Sequence, residues 1–358
     1  MALRSFTLIV TDDCNFDCIY CPQKKEKNYI TTKTIEKAVD FFYPFFDDEG
    51  TGINFYGGEP LLAFDQIRHA VLFLEEINLK EAKRFKYSMT INGSLLDDEI
   101  CRFLDRFKFS LLLSFDGLAH DRGRQQGTFD DMVDIIKNIG DYPGIDFNTN
   151  SVFPPGTVGE LSESIQFILD LGVKAPRMAL STTEEWDDKA VDALREQLTD
   201  LKDFLVAYYR QNGTVPLKDF RRAETGGMFG CFAAQDRVSV SPDGKVWGCF
   251  LFHDFFKDKT DTREYYKYFL GELDDFIATY PRALEMLLPN YKNLYQGNFY
   301  TEKNFCYSCE EVKWCKVCPV NAAMAGSIVL GSIPSWRCKI NKLMKEIRTE
   351  FNKEIAAL

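Results

Sequence analysis

Histidine is nearly missing from this chain. His69, His120 and His253 are the only three in 358 residues, and they lie far apart. That excludes a histidine-built metal site and leaves no Ser–His–Asp type of triad. Positive charge is also short: 43 Lys and Arg against 54 Asp and Glu give a net charge of −11. A protein that binds phosphate backbones needs a basic surface, so nucleic acid is not the expected partner, whereas a basic peptide is compatible. No apolar run is long enough to cross a bilayer, so no membrane partner is expected. Phe6–Val10 is too short for a signal peptide and runs straight into Thr11-Asp12-Asp13. No internal repeat or low-complexity tract interrupts the chain.

Apolar residues, by contrast, are plentiful. The chain is 45% hydrophobic and 14% aromatic, enough for a large core, and its length accommodates two compact domains. Its 11 cysteines fall in two clusters with short metal-ligand spacings rather than a disulfide framework, which points to a reducing, cytoplasmic compartment.

Up to about residue 210, strand-like and helix-like patterns alternate, as in βα units. The expected strands are Phe6–Thr11, Ile53–Tyr56, Tyr87–Asn92, Ser110–Phe115, Ile145–Val152 and Arg177–Ser181. Helical faces recur between them: Ile35, Val39, Phe42 and Phe46; Ile67, Ala70, Val71 and Leu74; Leu96, Ile100, Phe103 and Phe107; Phe129, Met132, Val133 and Ile136; Leu161, Ile165 and Ile168; Val191, Leu194, Leu198, Leu201 and Leu205. Six such units are too few for a closed eight-strand barrel, so the expected fold is α/β, a partial (β/α)6 TIM-like barrel over residues 1–215. Asn212-Gly213 and Pro216 end its last helix and place a boundary near 212–225. A cysteine-rich C-terminal domain follows over 226–358, closing with a helix from about Ile340 to Ala357.

Chemistry in such folds sits at the carboxyl ends of the strands. Just there, after the first strand, come Cys14, Cys18 and Cys21 in a C-x3-C-x2-C spacing. A [4Fe–4S] cluster is usually held by four thiolates, so three would leave one iron open to a small molecule. On spacing alone, a zinc knuckle or three buried thiols serve equally well. The second strand ends in Gly57-Gly58-Glu59-Pro60. Two glycines permit a close backbone approach to a ligand, and Glu59 can accept from a ligand ammonium or cap the next helix. The third strand ends in Thr90-Ile91-Asn92-Gly93, and the fourth in Ser114-Phe115-Asp116-Gly117. Ser114 can bond a carboxylate or ribose hydroxyl, Asp116 can shape the turn, and Arg122 or Arg124 can pair with a carboxylate. Asn148 and Ser151 on the fifth strand are further candidates.

The second cysteine set reads Cys231-x12-Gly244-x4-Cys249, then Cys306-x2-Cys309-x5-Cys315-x2-Cys318, then Cys338. Strands Arg237–Val240 and Lys245–Trp247 are expected to flank a turn at Ser241-Pro242-Asp243-Gly244. Paired C-x2-C units also build zinc ribbons, so zinc stays open on spacing alone. The eleventh cysteine, Cys101, sits at the edge of a helical apolar face and reads as an ordinary buried thiol.

The first triplet, with Tyr20 before its last cysteine, resembles the motif of the radical S-adenosylmethionine (SAM) enzymes. The second set resembles their seven-cysteine SPASM extension, so the resemblance spans nearly the whole chain. In that family SAM chelates the open iron, one electron cleaves its sulfonium C–S bond, and the resulting 5′-deoxyadenosyl radical takes a hydrogen atom from the substrate. The resemblance implies SAM as cofactor and three [4Fe–4S] clusters. Cys14, Cys18 and Cys21 would hold the SAM-binding cluster. Cys231, Cys249 and Cys318 would hold a first auxiliary cluster one ligand short, open to a substrate thiolate or capped by another residue. Cys306, Cys309, Cys315 and Cys338 would hold the second. The x2 between Cys315 and Cys318 departs from the family's x3. Around SAM the resemblance implies Gly57, Gly58 and Glu59 at the amino group, Ser114 and Asn92 at strand ends, Arg124 at the carboxylate, Tyr20 near adenine, and Asn148.

SPASM enzymes mostly modify peptides, which implies a maturase of a ribosomally made precursor peptide, with a thioether crosslink as the first specific expectation. The chain begins almost at its first strand, so a leader would be bound by the barrel, the module or a separate leader-binding protein, or hardly at all. Flavodoxin or ferredoxin is the expected electron donor. The alternative is an anaerobic sulfatase-maturing enzyme, although that family has Asp directly after the second cysteine of the C-x12-G-x4-C unit and this chain has Phe250, with Asp254 nearby. A non-catalytic electron-transfer protein would explain the C-terminal cysteines but not the N-terminal three. Anaerobic reconstitution should give about twelve irons per chain, and about four irons together with bound zinc would reject the auxiliary clusters.

Overall fold

The structure, a computed structural model, describes residues 2–79, 81, 83–221 and 226–358. The last four positions of the expected boundary, 222–225, lie outside the described residues.

Six strands run parallel: β1 (Ser5–Thr11), β2 (Thr51–Gly57), β3 (Phe85–Ile91), β4 (Ser110–Ser114), β5 (Asp146–Phe153) and β6 (Arg177–Leu180). Each lies within two residues of its expected position at either end. β1 is almost wholly buried, as a central parallel strand covered on both faces should be, and β2 alternates, burying Thr51, Ile53, Phe55 and Gly57.

The sheet does not stop at the sixth unit. β7 (Arg237–Val240) pairs in parallel with β1, and β8 (Lys245–Trp247) and β9 (Phe269–Glu272) add antiparallel. The result is one nine-stranded sheet in the order β6-β5-β4-β3-β2-β1-β7-β8-β9. The hairpin forms where its turn residues predict it. Its attachment to the free edge of β1 is long-range pairing that no local pattern announces.

Helices cover the outer face. Ile67, Ala70, Val71 and Leu74 are the buried residues of the Phe64–Asn78 helix, as their spacing predicts. The next helix differs. Asp97 caps it by accepting from Ile100 N at 2.8 Å, so it spans Asp98–Arg106 and buries Ile100, Cys101 and Leu104. Leu96 therefore precedes the helix, and Phe103 and Phe107 pair half-buried at its edge, with ring centroids 4.8 Å apart. The helix Asp188–Asn212 ends at Gly213 as expected.

Its apolar stripe Leu194, Leu198, Leu201 and Leu205 shares a core with Ile340, Leu343, Ile347 and Phe351 of the C-terminal helix. Arg195–Glu346 and Lys202–Glu354 pairs flank that seam at 2.7 Å. The C-terminal helix spans Ser335–Ala356 and so begins a turn earlier than its apolar period suggests, directly after Pro334. That earlier start places Cys338 inside the helix.

The tightest contact in the fold lies at the sheet's carboxyl edge. A Cβ on Gly57 would stand 2.1 Å from Thr11 O, and one on Gly58 would stand 2.2 Å from Asp13 O and 2.9 Å from Cys14 Cβ. Gly58 N donates to Thr11 O at 3.1 Å and Glu59 N to Asp13 O at 2.8 Å, which seals the two backbones together. Gly58→Ala should cost about 1–3 kcal/mol of stability and displace the loop that carries Cys14. Gly140→Ala, where a Cβ meets nothing within 4 Å, should leave both unchanged. Thermal melts with iron analysis of the two variants check this.

Candidate functional site

β1 delivers Thr11 to the mouth of the sheet, and residues 12–28 then run without helix or strand. Side chains order this loop. Thr11 Oγ1 donates to Asn28 O at 2.9 Å and accepts from Asp13 N at 3.0 Å. Asp13 in turn accepts from Cys14 N at 2.9 Å and Tyr29 OH at 2.7 Å. Asp12 is buried and takes His253 Nε2 at 2.8 Å, Lys257 Nζ at 3.1 Å and Asn28 Nδ2 at 3.3 Å. Burial pushes its carboxyl up, but the hydrogen bonds and charges of His253 and Lys257 outweigh it and hold the group below the usual carboxylate range.

The strand ends add further polar groups. Tyr20 OH donates to Asp116 Oδ2 at 2.5 Å, and Arg124 pairs with Asp116 Oδ1 at 2.9 Å and with Asn150 O at 3.0 Å. Val152 N also donates to Asp116 Oδ1, at 2.8 Å. Asp116 thus does more than shape a turn: it aims the buried Arg124, whose Nε is left without a hydrogen-bond partner. Arg122 points elsewhere and pairs with Glu160. Asn92 Nδ2 donates to Asn15 Oδ1 at 2.8 Å and ties the cysteine loop to the end of β3.

These groups line one cavity of about 580 Å³. Cys14, Cys18, Cys21, Tyr20, Gly57, Gly58, Asn92, Ser114 and Arg124 belong to its barrel side. Across it stand Cys306, Cys309, Cys315 and Cys338, with Arg337, Lys342 and Lys345 of the C-terminal helix. Two expected residues do not line it. Glu59 is fully buried, and its oxygens accept from Leu61 N at 3.0 Å and Asn92 N at 2.6 Å, so it acts as the cap of the following turn. Asn148 lies in the lower half of β5, opposite Leu112, well below the mouth. The paired glycines do line the cavity, but the space their missing side chains leave is filled by the cysteine loop rather than left for a ligand.

All eleven cysteines are free thiols, and Cys101 is buried in the core. The other ten fall into three mutually interacting sets. Burial drives Cys14 up to about 11, with the charge of Cys18 adding to it, and Cys21 acts likewise on Cys18. Burial lifts Cys231 to about 11 and Cys249 to about 12, and Cys318 raises both further. Burial lifts Cys306 to about 11, with Cys338, Cys315 and Cys309 adding. Buried thiols crowded in this way stay protonated unless a cation takes the proton's place, which is the donor chemistry an iron–sulfur cluster satisfies. Among the described residues no three His, Cys, Asp or Glu side chains close around a single metal ion, so the fit rests on this grouping rather than on a preformed shell. Cys231, Cys249 and Cys318 are not among the residues that line the cavity.

Some participants carried no signal in the sequence. Gln23 and Tyr56 line the cavity and both donate to Asp254, at 3.3 and 2.8 Å. Phe250 packs against the Tyr56 ring with centroids 4.1 Å apart. His253 serves as a clamp on Asp12, whereas His120 is buried against Thr128 and His69 pairs with Glu36.

Residues 8–168 match the family model of the Radical SAM superfamily. The radical SAM cyclopropyl synthase TigE of Paramaledivibacter caminithermalis is 27% identical over 155 residues, 38% of this chain and 32% of that protein. A probable GTP 3′,8-cyclase of Halobacterium salinarum is 24% identical over 254 residues, 66% of each chain. The chain thus spans less than two thirds of the length of these two curated relatives. Among solved structures, native anSMEcpe with bound AdoMet superposes with a TM-score of 0.77 at 20% identity, covering 99% of this chain and 98% of that one. Streptococcus suis SuiB bound to the precursor peptide SuiA gives 0.59 at 17%, covering 94% and 76%. At these identities the structural likeness is one of fold.

Glu59 also makes the site pH-sensitive. Burial lifts its carboxyl from 4.5 to about 7, against the two backbone N–H donors. A raised acid favours the folded state when protonated, so its contribution is full below about pH 4.5 and is lost as pH rises through about 7. At about 1.4 kcal/mol per unit, that loss reaches about 3 kcal/mol. Glu59→Gln should flatten the decline in stability over this window, as measured by anaerobic urea unfolding.

Proposed function

We propose that this radical SAM enzyme, whose family domain spans residues 8–168, is a maturase of a ribosomally made peptide. It would combine a SAM barrel over 1–215 with a SPASM-type module over 226–358. The observation that carries this reading is the single cavity with Cys14, Cys18 and Cys21 at one side and Cys306, Cys309, Cys315 and Cys338 at the other. Two solved structures of the same fold hold peptides, anSMEcpe with the Cp18Cys peptide and SuiB with SuiA.

The first three thiols would hold a SAM-binding [4Fe–4S] cluster, and the other two sets one auxiliary cluster each. Bound there, cluster and SAM supply a one-electron cleavage that abstracts a hydrogen atom from the substrate. The chain's own residues do the positioning. Asp116 holds Arg124 so that its free Nε edge can meet a carboxylate. Tyr20 lies beneath that guanidinium, 5.5 Å from ring centroid to Cζ. Met178, Leu251, Met324 and Met344 give the cavity an apolar lining that keeps water from the reacting atoms. A peptide side chain seated between the two walls is near both thiol sets. Thioether formation would ask for this placement: a hydrogen atom leaves the carbon at one side, the thiol gives up its proton, and as the C–S bond closes the surplus electron passes to the other side.

Formylglycine formation is the second reading, favoured by the buried Asp254 beneath Tyr56 and Gln23. Burial raises its carboxyl, and His253, Tyr56 and Gln23 only partly offset that, so it is suited to exchanging a proton. A separate leader-binding protein and a flavodoxin- or ferredoxin-type donor complete the proposal, in a cytoplasmic setting. No described helix is long and apolar enough to cross a membrane.

Cys14→Ala should abolish 5′-deoxyadenosine formation from SAM under dithionite while about eight irons remain. Retained cleavage would refute the assignment. With a cysteine-containing precursor peptide, a product that has lost hydrogen but kept its sulfur supports the thioether. An aldehyde with sulfur lost supports the second reading.

A further inference from the structure

The cavity has the opposite charge balance to the chain that forms it. Acidic residues outnumber basic ones in the sequence, 54 to 43. Among the described residues, the cavity wall carries six cations, Arg124, Lys316, Arg337, Lys342, Lys345 and Arg348, against two carboxylates, Asp219 and Glu311. Arg124 is answered by Asp116 at 2.9 Å, and Lys345 by Glu311 at 2.5 Å. Lys316 and Lys342 are exposed, and no described carboxylate pairs with either. Lys316 Nζ donates to the backbone oxygens of Gly227 and Lys313 instead.

The Ser335–Ala356 helix produces this imbalance by sorting its charges. Arg337, Asn341, Lys345 and Arg348 recur at helical spacing, and all four line the cavity. Glu346 and Glu354 turn away to Arg195 and Lys202 of the neighbouring helix. Arg337 and Arg348 stand eleven positions apart, roughly 16 Å of helix. That is a line of positive charge rather than a cradle for one anion, and an extended peptide runs along it with about five residues. A cluster bound beside this wall does not cancel it. Four thiolates around a dipositive iron–sulfur core leave a charge of about −2, which Lys316, Arg337, Lys342 and Lys345 outweigh even with Glu311 counted. A cavity of about 580 Å³ admits a peptide segment and excludes a folded electron donor, so the charge faces the substrate.

We propose that the peptide segment this cavity takes is acidic, with Asp or Glu side chains next to the modified residue held by Lys316 and Lys342. This rests on the reading of the cavity as a peptide site. The net charge of the whole chain is compatible with a basic peptide, but the wall the peptide meets has the other sign. Charges of this kind select the partner and speed its entry more than they add affinity.

The test uses the full chain, reconstituted anaerobically, with synthetic linear peptides that differ only in carrying Glu, Gln or Lys on either side of one central Cys. Binding is read by fluorescence anisotropy at low and high salt. The Glu peptide should bind about three- to tenfold more tightly than the Gln peptide and the Lys peptide more weakly than both, and added salt should narrow the spread. Lys342→Glu should remove the advantage of the Glu peptide. Lys353→Glu, the same change on the same helix but outside the cavity, should keep it. Iron analysis accompanies each variant, and Lys342→Gln takes the place of Lys342→Glu if the latter loses iron. Equal affinities in the wild type, a preference for the Lys peptide, or equal effects of the changes at 342 and 353 would overturn the proposal and leave the peptide reading standing. Binding of none of the peptides would overturn that reading and the proposal with it. Binding of GTP alone, lost in Lys342→Glu, would give the wall to phosphates and overturn both.

Discussion

Asp12 carries a negative charge into a buried corner between the sheet mouth and the helix Phe250–Phe256, and the order of the cysteine loop depends on its being met there. His253 and Lys257 meet it from that helix. Asp254, next along the same helix, holds Gln23 at the far end of the loop. The loop is therefore gripped just before Cys14 and just after Cys21 by one short element. A buried ion pair of this kind contributes less to net stability than to choosing a single arrangement. Here the arrangement chosen is the one that turns three thiols into one cavity.

The same helix begins at Cys249, which belongs to the buried three-thiol set. The N-terminal and C-terminal cysteines are thus joined through a few hydrogen bonds as well as through the sheet, where β7 extends the edge of β1. The nine-stranded sheet and the clamp together hold the four-thiol wall opposite the barrel mouth.

Much of the fold was legible because its signals are local. The Phe64–Asn78 helix buries the residues its period selects, and the hairpin turns at Ser241–Gly244, since both patterns are set by near neighbours. Glu59 shows where local reading stops. A carboxylate at a strand end is equally suited to bind a ligand or to cap a turn. Only the position of Asn92 N, at the end of the next strand, directs it to the second role. Asn148 was misplaced because strand membership does not tell how far along the strand the mouth lies.

The sequence by itself determined the cysteine spacings, the six βα units and the turn chemistry, because each depends on residues a few positions apart. It therefore specified which chemistry the chain could host. The tertiary structure decided which thiols share a cavity, that Arg124 rather than Arg122 faces it, and that Glu59 caps a turn. Those outcomes depend on groups brought together from different elements, as Tyr20 is with Asp116 and Asn92 with Asn15, where burial removes water as the competing partner and leaves each charge only the groups the fold brings to it.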